Sequence, residues 1–147
     1  MNYKRVRDLY GQPIKMNVDI HQRRTVVGSS FDPEIFGPSL WFILHNGVTN
    51  YPSNPTRFVQ NGMKLLILNI PLLIPCLACR EHFYTSVRAS NLDLAVSSRD
   101  ELFKFFVNVH NYVSSRYGKP QMSLNDAKRF YGFDNPGVGT SVEITYK

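Results

Sequence analysis

The chain holds two cysteines, and both fall in one short stretch, "IPCLACREHF", as Cys76 and Cys79. Residues at i and i+3 of a helix share a face, so two thiols at this spacing can reach disulfide geometry. Pro75 suits a position just outside or at a helix start. That leaves Cys76 in the first turn, where free backbone N–H groups and the helix dipole favour a thiolate. The spacing therefore favours a labile, reactive disulfide. Two other uses stay open on the pattern alone. Cys76, Cys79 and His82 have metal-ligand spacing, with His110 as a fourth zinc ligand, or the two cysteines serve as small buried hydrophobes.

A second group of residues narrows the choice. Trp41 and His45 are i, i+4 neighbours on one predicted helix. His110, Asn111 and Ser114 mark another, and Arg116 and Lys119 follow at its C-terminal end. Two helices each bring a histidine beside aromatic surface, and cations cluster at one helix end. Rings of a large planar ligand would lie on the Trp41 and histidine faces, while Arg116 and Lys119 would meet phosphate oxygens. The constellation suits an aromatic ligand carrying a diphosphate.

The elements that must position these groups read as helices. "PSLWFILHNGVTNY" sets Leu40, Trp41, Leu44, His45 and Val48 on one side of a helix beginning near Gly37, with Pro38 in its first turn. "YPSNP" breaks it. A second helix is expected from Pro55–Thr56 to about Ile70, with Phe58, Met63, Leu66, Ile67 and Ile70 near helical spacing, and Pro71 distorts or ends it. A third starts at Pro75–Cys76 and reaches about Ala89. The fourth carries the clearest signals: Ser98 with Glu101 three residues on is a capping box, two apolar stripes follow, and Gly118 and Pro120 stop it. A short fifth helix begins near Ser123. The tail, "DNPGVGTSVEITYK", ends in an alternating run that reads as a strand or an extended arm. The expected architecture is all-α, a four-helix bundle plus a short fifth helix, with N- and C-terminal extensions. The expected divisions are 1–36, 37–133 and 134–147.

Composition is consistent with one globular domain. The 147 residues are enough for a real core. The longest apolar run, "LLILNIPLLIP", falls short of the roughly 20 residues that a membrane span requires. The first residues lack the apolar segment of a signal peptide. Two cysteines in one local motif do not make a secreted disulfide scaffold, and in an intracellular chain such a pair is usually redox-active or metal-binding. The net charge is +6, and Lys4, Arg5, Arg7, Lys15, Arg23 and Arg24 crowd the first part of the chain. A basic arm of this kind is either a solvated leader or a surface for nucleic acid or an acidic partner. The basic and aromatic interleaving of an RNA-binding sheet is missing.

The strings "GPSLWFILHNGVTNYPSNPT", "IPCLACREHF" and "HNYVSSRYGKP" together resemble the FAD-linked sulfhydryl oxidases of the Erv/ALR type. The family's order is W-x-x-x-H, then Y-P-x-x-P, C-x-x-C, and H-N-x-V-N-x-x-L-G-K-P, and the likeness covers about residues 37–133. The resemblance implies a helical bundle cradling FAD at its mouth, with the disulfide beside the flavin ring, and a homodimer. By the resemblance, Cys76 and Cys79 are the active disulfide, and Trp41, His45 and Tyr51 line the flavin site. His110, Asn111, Val113 and Ser114 contact the flavin or the adenosine part. Arg116 and Lys119 bind the ribose-diphosphate region, and Tyr131 lies near the adenine. The chain departs from the pattern at Pro38, where the family often has Arg, at Ser114 for Asn, at Tyr117 for Leu, and at Leu124, where a structural cysteine is often found. It has no second C-x-x-C. This reduced cysteine set looks most like the versions of large DNA viruses.

The expected function is an FAD-dependent thiol oxidase that makes disulfides in protein substrates and passes electrons to molecular oxygen, giving hydrogen peroxide. Its partners would be a protein dithiol, thioredoxin-like or viral, with oxygen and a second copy of the chain, and neither membrane nor nucleic acid. Its place would be the host cytoplasm or virion, or otherwise an oxidising intracellular compartment. His82 is a further candidate for proton transfer near the thiols, or a helix-surface residue. The alternative from a different class is a small zinc-stabilised helical module that uses its basic arm on nucleic acid.

Overall fold

The computed structural model describes residues 2–4, 32–134 and 143–145. Most of the basic N-terminal segment, including "GQP", lies outside these residues. Two short strands, β1 (Asn2–Lys4) and β2 (Glu143–Thr145), pair antiparallel with Tyr3 opposite Ile144. The alternating tail thus does supply a strand. The other elements among the described residues are helical: α1 (Pro33–Val48), α2 (Arg57–Asn69), a 3₁₀ turn (Ile70–Leu73), α3 (Leu77–Arg88), α4 (Leu92–Ala95), α5 (Arg99–Arg116) and α6 (Leu124–Tyr131).

Polar caps set most of the helix starts. The Ser98 hydroxyl accepts from the Glu101 N–H at 3.2 Å, Ser123 does the same for Asp126 at 3.1 Å, and Thr56 caps α2 through Val59. The expected start of α1 near Gly37 is corrected. Asp32 caps the helix by accepting from the Glu34 N–H at 2.9 Å, and Pro33 occupies its first turn. Pro38 then lies inside the helix, where its missing N–H leaves the Glu34 carbonyl without its usual i→i−4 donor. At the far end of α2, Pro71 does not end the helical run but tightens it into the 3₁₀ turn.

α5 is the central element, buried through Leu102, Phe103, Phe105, Phe106, Val107 and Val109. It packs against α1 and α3, and α6 closes against α1 and α5. The connection from α1 to α2 is fastened to the start of α5. The buried Tyr51 hydroxyl donates to the Val96 carbonyl at 2.9 Å, and Arg99 Nε donates to the Tyr51 carbonyl at 2.6 Å. The apolar stripe expected on α2 divides in two. Ile67 and Ile70 are buried, but Phe58 and Leu66 face outward with Leu65, Leu68, Leu72 and Leu73, and Phe58 is 88% exposed.

Candidate functional site

Cys76 and Cys79 are joined in a disulfide, with Cα atoms 5.2 Å apart. Cys76 is the N-cap of α3 rather than a first-turn residue, and its sulfur accepts from the Cys79 N–H at 3.2 Å. Cys79 is one turn deeper and only 5% exposed, whereas Cys76 is half-buried. The two sulfurs are therefore unequal: one reachable from solvent, the other turned toward the interior.

The interior side is a cleft of about 960 Å³ up to its open mouth, between α1, α3, the end of α5 and α6. Cys79 forms part of its wall with Trp41, Phe83, His110, Val113, Ser114, Tyr117, Lys119 and Tyr131. Stacked aromatic rings build this wall. Trp41 lies flat on His110, with ring centroids 4.0 Å apart and planes 8° from parallel, and Phe83 packs beyond it at 6.1 Å. Tyr131 stacks on His45 at 4.2 Å. An apolar wall with several stacked aromatic rings is the lining of a site for a planar organic ligand.

The two histidines act as a neutral pair. His45 Nε2 and His110 Nδ1 are 3.1 Å apart, so one donates to the other. His45 Nδ1 is buried without a partner. An orphaned lone pair costs less than an orphaned N–H, which favours the tautomer in which His45 Nε2–H donates and His110 carries its proton on Nε2. Burial holds both rings unprotonated. It lowers His45 to about 3, and it lowers His110 to about 2 with help from His45 and Lys119. Burial also raises the Tyr131 and Tyr51 hydroxyls, which remain neutral phenols.

The residues singled out in the sequence separate into those on the cleft and those behind it. Trp41, Cys79, His110, Val113, Ser114, Lys119 and Tyr131 are on the wall. His45 stands behind His110. Tyr51 is in the core and has given its hydroxyl to Val96. Asn111 is taken up by the backbone of the next segment. Its Nδ2 donates to the Met122 carbonyl at 2.8 Å, and its Oδ1 accepts from the Met122 N–H at 2.9 Å. Arg116 turns back along α5, lying over the Tyr112 ring and donating to its hydroxyl at 2.8 Å. Lys119 forms an ion pair with Glu34 across the cleft mouth.

Sequence reasoning missed Phe36, Phe42 and Phe130 as wall residues, and Glu34 as the partner of Lys119. The Asp32–Pro33 start of α1 was the available signal for Phe36 and Glu34. Zinc is not supported as the alternative. The two thiols are bonded to each other, and among the described residues no three His, Cys, Asp or Glu side chains converge on a metal position. Among the described residues no helix is long and apolar enough to cross a membrane.

Comparison with known proteins gives a consistent answer. The Erv1 / Alr family pattern matches residues 38–132. A protein of invertebrate iridescent virus 3 that carries the name FAD-linked sulfhydryl oxidase is 34% identical over 116 residues, covering 78% of each chain. One from invertebrate iridescent virus 6, with the same name, is 32% identical over 71% of this chain and 99% of its own. Among solved structures, the yeast Erv1 core superposes with a TM-score of 0.67 at 27% identity, over 84% of this chain and 98% of that one. The FAD-binding domain of Saccharomyces cerevisiae Erv1 gives 0.64 at 29% identity, over 71% and 96%.

Proposed function

The chain belongs to the Erv1 / Alr family, and from that premise we propose that it is an FAD-linked sulfhydryl oxidase whose working disulfide is Cys76–Cys79. The observation that carries the reading is the position of Cys79, a disulfide sulfur set into the wall of an aromatic cleft.

The residues present fit FAD. The cleft is mainly apolar with Trp41 stacked flat on His110 in its wall, His110 has an Nε2–H to offer in the favoured tautomer, and Lys119 supplies a cation at the mouth. Trp41, His110, Val113, Ser114, Lys119 and Tyr131 would hold the cofactor. His45 fixes the His110 ring from behind, and Tyr51 and Asn111 fix the backbone around the site. Arg116 would have to leave the Tyr112 ring to meet a phosphate.

A thiolate of the substrate attacks the accessible Cys76 sulfur. The Cys76–Cys79 bond breaks, its electron pair leaves on Cys79, and a mixed disulfide forms between substrate and Cys76. The second substrate thiol, deprotonated, displaces Cys76 from that mixed disulfide. The substrate leaves oxidised, and Cys76 and Cys79 hold the two electrons. FAD held in this cleft would supply a two-electron acceptor for the reduced cysteines, with molecular oxygen as the final acceptor and hydrogen peroxide as the product. The buried neutral histidines keep positive charge out of the aromatic wall at working pH.

The substrate is a protein dithiol, and a thioredoxin-like carrier is the partner we favour because the chain has no second C-x-x-C to act as its own shuttle. A homodimer is favoured by the outward face of α2 and the 3₁₀ turn, where Phe58, Leu65, Leu66, Leu68, Leu72 and Leu73 form an apolar surface. The viral relatives favour disulfide formation in the host cytoplasm or in virions.

The test is the visible spectrum of the purified protein together with oxygen consumption on a reduced protein dithiol. Yellow protein with flavin absorption and dithiol-dependent peroxide production is the expected result. A colourless protein that leaves dithiols reduced, or one that carries stoichiometric zinc, overturns the reading.

A further inference from the structure

Tyr117 departs from the family pattern, which places Leu at this position. Its hydroxyl is 3.0 Å from Cys79 Sγ. A disulfide sulfur carries no hydrogen, so in this bond the phenol donates. Tyr117 is the C-cap of α5, held by its N–H on the Ser114 carbonyl at 3.0 Å. The chain turns away immediately after it at Gly118, whose φ of 65° belongs to the left-handed region. The ring stands edge-on to His82, with centroids 5.9 Å apart. The hydroxyl is thus aimed at the sulfur by the helix end and the neighbouring ring together.

We infer that Tyr117 is a further catalytic residue, the hydrogen-bond donor that stabilises Cys79 as the leaving thiolate and so directs attack onto Cys76. The inference rests on the thiol-oxidase reading for its place in the reaction, but its physical content concerns the two sulfurs alone. When a substrate thiolate bonds to Cys76 Sγ, the Cys76–Cys79 bond breaks and its electron pair stays on Cys79. No proton moves, and the phenol O–H remains on its oxygen. Cys79 is almost fully buried, so solvent does little to stabilise that charge. A donor already in place lowers the thiol pKa, and a lower leaving-group pKa speeds exchange.

Other groups around Cys79 do not duplicate this role. Arg80 on α3 gives its guanidinium to the Ile74 carbonyl at 3.1 Å. His110 from α5 bonds His45, Lys119 is paired with Glu34 of α1, and His82 meets Tyr117 rather than sulfur in the contacts the structure gives. The start of α3 favours a thiolate at Cys76, whose sulfur accepts the Cys79 N–H at 3.2 Å, so it does not select Cys79 as the leaving sulfur. The phenol does.

The experiment uses full-length protein as purified and measures alkylation of a single thiol by iodoacetamide against pH, read by intact mass. In the Cys76→Ser background, which keeps a capping hydroxyl on α3, adding Tyr117→Phe should raise the apparent pKa of Cys79 by about one unit, that is, about tenfold less thiolate at a fixed pH below both values. In the Cys79→Ser background the same change should leave the Cys76 value in place. Tyr117→Leu, which removes ring and hydroxyl together, should shift Cys79 in the same direction and serves if the Phe variant folds poorly. An unchanged Cys79 pKa, or an equal shift at both cysteines, overturns the inference, the latter because it marks a general disturbance of α3. Absence of flavin or of oxidase activity would remove the functional reading while leaving the alkylation result interpretable.

Discussion

Acid should unfold this protein through two histidines. His45 is 1% exposed and His110 6%, and burial lowers them to about 3 and about 2. In the unfolded chain each returns to the ordinary value of 6.5. A group whose folded pKa is depressed contributes stability that is fully present above its unfolded pKa. Below pH 6.5 the unfolded state binds protons that the folded state refuses, so stability falls as pH falls until the folded values are reached. Each histidine contributes a slope of about 1.4 kcal/mol per pH unit once the unfolded ring is fully protonated. The pair together should remove about 4 kcal/mol between pH 7 and pH 5. A domain of this size has roughly 5–15 kcal/mol in total, so the loss is a large share of what holds it folded. Asp93, depressed by its hydrogen bond and charge pairing with Lys64, and Asp126, depressed by Ser123 and then Arg129, lose their contributions only as pH falls through the acidic carboxylate range. Urea melts followed by circular dichroism from pH 8 to pH 4.5 should give a midpoint that falls steeply below pH 6.5. His110→Phe, which keeps a flat ring against Trp41, should cut the slope by about half. A wild-type stability that stays level between pH 7 and pH 5 would refute the account of a buried neutral pair.

Other outcomes follow from the same contacts. Asn111→Ala removes both hydrogen bonds to Met122 and should cost about 1–3 kcal/mol by denaturant melting, without taking a residue from the cleft wall. Cys76→Ser should abolish turnover and leave Cys79 free against the bound ring, giving a long-wavelength absorption band that acidification removes. Cys79→Ser should be equally inactive and lack the band, and the reverse pattern would exchange the two roles. Light scattering should give a dimer at micromolar concentration without intersubunit disulfides, and Phe58→Glu combined with Leu65→Glu should give a monomer.

The helices were legible where their ends carry local chemistry. Ser98 with Glu101, Thr56 and Ser123 each announce a start that a single side chain brings about, so the sequence alone suffices. The start of α1 was hidden because Asp32 and Pro33 read equally well as a breaker and as an N-cap followed by N1, and only packing against the rest of the chain decides between them. α4 has four residues, too few for any period to appear. The apolar stripe of α2 was visible, but periodicity does not say which neighbour a stripe meets. Ile67 went to the core, and Phe58 to the outside.

For the site, the limit was of a different kind. Motif residues identify what a segment is, while their hydrogen-bond partners decide what each side chain does. Asn111 and His110 are adjacent in one motif, yet one clamps Met122 and the other lines the cleft, because successive residues of a helix point about 100° apart. Tyr117 is the converse case. As a sequence position it was a departure from a pattern, with no chemistry attached. Its meaning depends on a distance between the end of α5 and the start of α3, 38 residues apart in the chain. Where the pattern has Leu, an apolar side chain leaves the interior sulfur without a donor from this position. The departure at Tyr117 therefore marks a place where this chain has its own means of making the two sulfurs unequal, and that inequality decides which of them a substrate attacks.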